Sequence, residues 1–132
     1  MDQLDQMGLS PSAYPDTFAR DHLPPRAQWP VLEFTTDELQ YPERLNAGVE
    51  LIDIPTARFG PDRPALRTPE GEVWTYGELL RRANQIAHVL TEDLGLVPGN
   101  RVLLRSPNNP WTVACWLGTL KAGGIVVTSG LP

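Results

Sequence analysis

Residues Arg101 to Thr128 read RVLLRSPNNPWTVACWLGTLKAGGIVVT, and this stretch decides the fold. Arg101 and Arg105 bracket the apolar run Val102-Leu103-Leu104, the pattern of a buried strand. Pro107, Asn108 and Asn109 interrupt it. Asn109 can cap a following helix, and Pro110 suits the first helical position, where a missing N–H costs little. Trp111, Ala114, Leu117, Leu120 and Lys121 carry that helix to Gly123-Gly124, and Ile125 to Thr128 form the next strand. Strand, helix and strand make a βαβ unit, so the two strands are predicted to be parallel, with a right-handed crossover. The class is α/β. A parallel sheet needs cover on both faces, and this chain supplies only part of one. Ending at Leu131-Pro132, just past a strand, leaves an edge with unpaired backbone groups.

Working towards the N-terminus, Val97-Pro98-Gly99-Asn100 is a turn. Before it, Thr75-Tyr76-Gly77-Glu78 has the spacing of a capping box: the Thr75 hydroxyl accepts from the third helical N–H and Glu78 reaches back to the Thr75 N–H. Leu79, Ala83, Ile86, Ala87, Leu90 and Leu94 follow at helical spacing, and Gly95 is placed to end the helix in a left-handed conformation. Ala65 to Thr68, the turn Pro69-Glu70-Gly71 and Val73 to Thr75 read as a β-hairpin. Asn46 can cap a helix with Val49, Ile52 and Ala57 on one side, kinked at Pro55 and ended by Gly60-Pro61-Asp62. Residues 1–43 form a Pro-rich arm. Pro11, Pro15, Pro24, Pro25, Pro30 and Pro42 break regular structure there, yet Tyr14, Phe18, Leu23, Trp29, Val31, Leu32, Phe34 and Tyr41 are too apolar for a disordered tail. The arm is expected to lie extended on a larger surface, with one helical turn at Asp16–Asp21. Residues 44–132 are the start of a domain.

Composition narrows the function. A net charge of −5 with no Lys or Arg run argues against nucleic acid as a partner. The single cysteine, Cys115, cannot form an internal disulfide. Met1 to Ser10 is polar and unlike a signal peptide. No apolar run approaches the roughly 20 residues of a membrane span, so the cytoplasm is expected.

Three short motifs, in order, carry a resemblance. Trp74-Thr75-Tyr76-Gly77-Glu78-Leu79, Pro98-Gly99-Asn100-Arg101-Val102 and Leu120-Lys121-Ala122-Gly123-Gly124-Ile125 resemble the opening core motifs of the adenylate-forming (AMP-dependent synthetase/ligase) superfamily. Asn100 stands where that family usually has Asp. The likeness spans about Arg44 to Pro132. The leader Asp16-Thr17-Phe18-Ala19-Arg20-Asp21-His22-Leu23-Pro24-Pro25, with Gln28-Trp29-Pro30 and Arg105-Ser106-Pro107-Asn108-Asn109-Pro110, is similar to the benzoate and 2-aminobenzoate CoA ligase branch.

The resemblance implies an N-terminal part of an acid–CoA ligase, a C–S bond-forming enzyme. A carboxylic acid, aryl in preference to short-chain, attacks the α-phosphate of ATP. CoA then displaces AMP from the acyl-adenylate. ATP, Mg²⁺ and CoA serve the full-length family enzyme, which neutralises phosphate charge with a Ser/Thr/Gly-rich loop and lysines. Those elements follow the last residue of this chain in the family. Ser129-Gly130 is not that loop, so this chain is expected to bind none of the three and to be inactive alone. Two other readings stand beside it: a truncated, non-catalytic protein that binds a partner through its arm and open sheet edge, and an adenylation domain that loads a carrier protein.

No residue is therefore assigned a catalytic, cofactor-binding or metal-binding role. Lys121, the only lysine, reads as a helix C-terminal residue favoured by the dipole. Thr75 and Glu78 are capping residues. His22 and His88 lack partners at metal-ligand spacing. Cys115 is a filler in an apolar helix. Gly99, Gly123 and Gly124 suit turn chemistry better than a phosphate cradle. Trp111 and Trp116 could stack on an aromatic acid but read as packing. Asn108, Asn109 and Trp111 follow a strand's C-terminal end, where α/β sheets bind ligands.

Overall fold

The structure is a computed structural model that describes residues 10–31 and 33–130. The expectations placed on residues 1–9, Leu32, Leu131 and Pro132 lie outside the described residues.

The strand–helix–strand unit forms, with its two strands parallel as its sequence predicts. Strand β3 (Arg101–Arg105) pairs in parallel with β4 (Ile125–Ser129), with Arg101 opposite Ile125 and Arg105 opposite Ser129. Helix α4 (Pro110–Lys121) connects them. Asn109 caps α4 by accepting the Thr112 N–H at 2.9 Å, and Pro110 occupies its first turn. One expectation fails here. β3 is half-buried on one face, at Val102 and Leu104, and open on the other, with Leu103 64% exposed. Only α4 and its neighbours cover this strand pair among the described residues, and strand residues alternate faces.

Strands β1 (Pro64–Arg67) and β2 (Val73–Thr75) form the antiparallel hairpin. The Thr68 N–H donates to the Glu72 carbonyl at 2.9 Å and Gly71 takes a positive φ of 91° in the turn. Helix α3 (Tyr76–His88) begins at the capping box, with Glu78 N–H to Thr75 Oγ1 at 3.1 Å and Thr75 N–H to Glu78 Oε2 at 2.9 Å. Its final turn, Val89–Asp93, widens into a π-helix. The Leu96 N–H then closes on the Leu90 carbonyl at 2.8 Å, with Gly95 left-handed at φ 63°. Leu94, placed by periodicity on the buried stripe, is 70% exposed because the wider turn rotates it out of phase.

The helix capped by Asn46 spans 47–59. Its Val49–Asp53 segment is π-helical and its second half, α2 (Ile54–Phe59), is α-helical. Pro55 is the physical cause: it has no N–H to offer Leu51, and its ring crowds that carbonyl. The wider turn shifts the buried stripe to Ile52 and Thr56, leaving Ala57 exposed.

These pieces close around one small core of Ile52, Trp74, Leu79, Ala83, Ala114 and Leu117. α3 and α4 pack against each other there. Their approach is close at Gly118, where a Cβ would lie 2.8 Å from the Ala83 carbonyl oxygen and 2.8 Å from Ile86 Cγ2. The arm adds one short helix, α1 (Phe18–Asp21), inside the expected turn, and 3₁₀ turns at Arg26–Gln28 and Asp37–Leu39. Much of its apolar surface stays open, including Val31, Phe34 and Tyr41.

Candidate functional site

Two clefts flank the βαβ unit. One, of about 500 Å³, lies between the hairpin turn and the β3–α4 loop and is lined by Arg67, Glu70, Asn108, Asn109, Thr112 and Val113. It sits past the C-terminal end of β3, where α/β sheets place ligands. Its polar groups are largely committed to the loop itself. Asn109 caps α4, and the Thr112 hydroxyl lies 2.7 Å from the Pro107 carbonyl and 2.8 Å from Ser106 Oγ. The cleft holds no nucleophile beside a base. A second cleft, of about 670 Å³, lies under the arm, between Tyr14, Arg20, Leu23, Trp29, Arg44 and Ile125.

Lys121 is brought to a partner that sequence spacing did not show. Its ammonium pairs with the Asp53 carboxylate, with the lysine side chain only 11% exposed, and its carbonyl accepts from Asn46 Nδ2 at 3.0 Å. It ties helix 47–59 to the end of α4. Trp111 is also engaged: it meets Trp74 edge-to-face at 5.2 Å, and the Arg82 guanidinium lies 4.9 Å from its ring. Trp116 remains partly exposed. Cys115 sits in α4, where burial pushes its thiol pKa up and disfavours the thiolate. His22 stacks on Phe18 with ring centroids 4.0 Å apart, its Nδ1 2.7 Å from the Phe18 carbonyl; His88 ends α3 and is exposed.

The glycines fill packing roles. The side-chain space of Gly99 is occupied by the Asp16 backbone, that of Gly123 by Pro98 and that of Gly124 by Thr119. The junction at Gly99 gathers charge that sequence reasoning missed. Asp16 pairs with Arg101, accepts from Asn100 Nδ2 at 2.7 Å and accepts the Phe18 N–H at 2.9 Å. The Phe18 N–H, then Asn100 and Arg101, hold the Asp16 carboxyl below its ordinary value. The available signal was the Asn at position 100, where the resembling family has Asp.

The capping-box helix entry, the turn before β3 and the α4–Gly-Gly–β4 passage now stand in one connected unit, and the family profile described as "AMP-binding enzyme" matches residues 55–130 across it. The chain belongs to the AMP-binding enzyme family. It is 45% identical over 73 residues to surfactin synthase subunit 1 of Bacillus subtilis, covering 54% of this chain and 2% of that protein. It is 38% identical over 86 residues to the long-chain-fatty-acid–CoA ligase of Salmonella typhimurium, covering 65% of this chain and 15% of that protein. Among solved structures it is similar to ATP-bound MatB from Rhodopseudomonas palustris (29% identity, TM-score 0.58, 64% of this chain and 16% of that one). It is also similar to the anthranilate CoA ligase AuaEII in complex with anthranoyl-AMP (26% identity, TM-score 0.56, again 64% and 16%). The chain thus spans at most about one sixth of the length of these four proteins.

The residues of this AMP-binding enzyme segment do not fit ATP or Mg²⁺. The one lysine is paired with Asp53, Gly99, Gly123 and Gly124 lie against their own chain, and among the described residues no three His, Cys, Asp or Glu side chains group as metal ligands. Among the described residues these glycines and this lysine do not form the cationic, N–H-lined cradle that a triphosphate requires. No helix among the described residues is long and apolar enough to cross a membrane.

Proposed function

We propose that this segment is the opening part of a cytoplasmic, ATP-dependent acid–CoA ligase that activates an aryl carboxylic acid as its acyl-adenylate and passes it to CoA. The observation that carries this reading is the AMP-binding enzyme match over residues 55–130, joined to the leader Asp16–Pro25 and to the fold likeness to an anthranilate CoA ligase. In this reading ATP, Mg²⁺ and CoA bind to segments outside this chain. The chain's own task is structural: residues 1–43 form an arm, and the unit from 44 onwards begins the domain. Helix α4 packs on one side of the β3–β4 strands, and the open face, marked by Leu103, is where further chain of the same domain packs.

The test is acid-dependent exchange of labelled pyrophosphate into ATP, then CoA thioester formation, by the full-length protein against benzoate, 2-aminobenzoate and short- and long-chain fatty acids. Preference for the aryl acids supports the reading, and activation of fatty acids alone refutes the aryl assignment. The 132-residue chain by itself should give no exchange, and acid-dependent exchange by it would overturn that half of the proposal. The 45% identity to a surfactin synthase subunit favours a second reading, transfer to a carrier-protein thiol. It predicts pyrophosphate exchange without CoA thioester.

A further inference from the structure

Asn100 bonds in two directions. Its Oδ1 accepts the Val97 N–H at 3.0 Å inside its own turn, and its Nδ2 donates to Asp16 Oδ2 at 2.7 Å, across 84 residues of sequence. A carboxamide does both, whereas a carboxylate only accepts. An aspartate at this position would keep the first bond, lose the second, and set two carboxylates at hydrogen-bonding distance.

Other contacts converge on the same place. The Asp16 N–H donates to the Pro98 carbonyl at 3.2 Å, and Gly99 leaves the space into which the Asp16 backbone fits. Arg101 pairs with Asp16 and lies 4.5 Å from the Phe18 ring centroid, so one guanidinium is held by a carboxylate and by an aromatic face. Phe18 is backed in turn by His22. Beside this bridge lies the 670 Å³ cleft, lined by Tyr14, Asp16, Arg20 and Leu23 of the arm and by Ile125 of β4.

We propose that residues 14–23 are a strap latched onto the Pro98–Arg101 turn, with Asp16 as its tongue and the Asn100 carboxamide as its receptor. The residue at position 100 sets whether the strap closes over the cleft beside β4. Asn100, which departs from the family's usual Asp, is on this reading matched to Asp16 of the leader. The proposal does not depend on which acid the parent protein activates.

Hydrogen–deuterium exchange on the 132-residue chain tests it. Asn100→Asp should speed exchange across residues 14–23 about tenfold, the loss expected for one hydrogen bond to a charged group. Exchange in α3 and α4 should be unchanged. Adding Asp16→Asn to Asn100→Asp restores a donor–acceptor pair of reversed polarity but leaves Arg101 without the Asp16 carboxylate, and should bring exchange of the strap part of the way back. The proposal is overturned by unchanged strap exchange in Asn100→Asp, or by a double variant no slower than that single one. Deprotection spreading equally through α3 and α4 also overturns it, since the turn would then support the whole fold.

Discussion

Replacing Gly118 by alanine sets two known effects against each other, and the structure decides the sign. In an open helix the change is favourable by about 1 kcal/mol, because glycine is the poorer helix former. In α4 the added Cβ would lie 2.8 Å from the Ala83 carbonyl oxygen, 2.8 Å from Ile86 Cγ2 and 2.9 Å from Ile86 Cβ. The first of these is backbone and cannot rotate away, so α3 and α4 must separate. Overpacking of this kind costs about 1–3 kcal/mol, and three obstructed atoms in the middle of a buried helix pair favour the upper part of that range. The net expectation is a loss of about 1–2 kcal/mol, or a Tm lower by roughly 4–8 °C for a domain of this size. Thermal unfolding followed by far-ultraviolet circular dichroism, with urea unfolding as a second measure, gives the comparison. A Tm equal to or above that of the parent chain would mean that propensity wins and that the close α3–α4 approach at Gly118 does not constrain the fold.

Three further outcomes are expected. Thr75→Ala removes the α3 cap and should cost about 1 kcal/mol in urea unfolding, whereas Thr75→Asp, which can still accept the Glu78 N–H, should cost little. Asp53→Asn leaves the poorly exposed Lys121 ammonium without its counter-charge and should cost about 1–2 kcal/mol, a figure reduced because Asp53 is itself 35% exposed; Lys121→Met should cost less, since it leaves no buried charge. Asp16 has its carboxyl pKa lowered in the fold, by the Phe18 N–H and then by Asn100 and Arg101, so its contribution is present above the ordinary value of 3.8 and disappears as pH falls through the lower folded value. The stability difference between the parent chain and Asp16→Asn should therefore hold steady from neutrality to about pH 5 and shrink below pH 4; a difference independent of pH down to 2 would contradict the contact.

Local pattern made much of this protein legible. The Thr75–Glu78 capping box, the Asn109-Pro110 helix start, the hairpin turn at Pro69-Glu70-Gly71 and the parallel β3–β4 pairing depend on interactions a few residues apart or on chain connectivity, and each formed as its residues predict. The family followed from three motifs in order, because motif spacing is a one-dimensional property. Helical phase was less legible. A π-turn before Pro55 and another after His88 each turn the stripe, exchanging Ala57 for Thr56 and exposing Leu94, and no periodicity of 3.6 anticipates an extra residue in a turn.

What tertiary structure alone decided is which distant groups meet. Lys121 finds Asp53 across 68 residues and Asp16 finds Asn100 across 84. Each side chain had an adequate local reading: a helix C-terminal cation, an arm carboxylate, a turn asparagine. The sequence by itself determined the elements, their order and the family, because caps, turns and strand alternation are short-range energies. The partners of Lys121, Asp16 and Trp111, and the bare face of β3, were set by how α3, α4 and the arm come together, since a charge or an aromatic ring takes its role from whatever packing brings within a few ångströms of it.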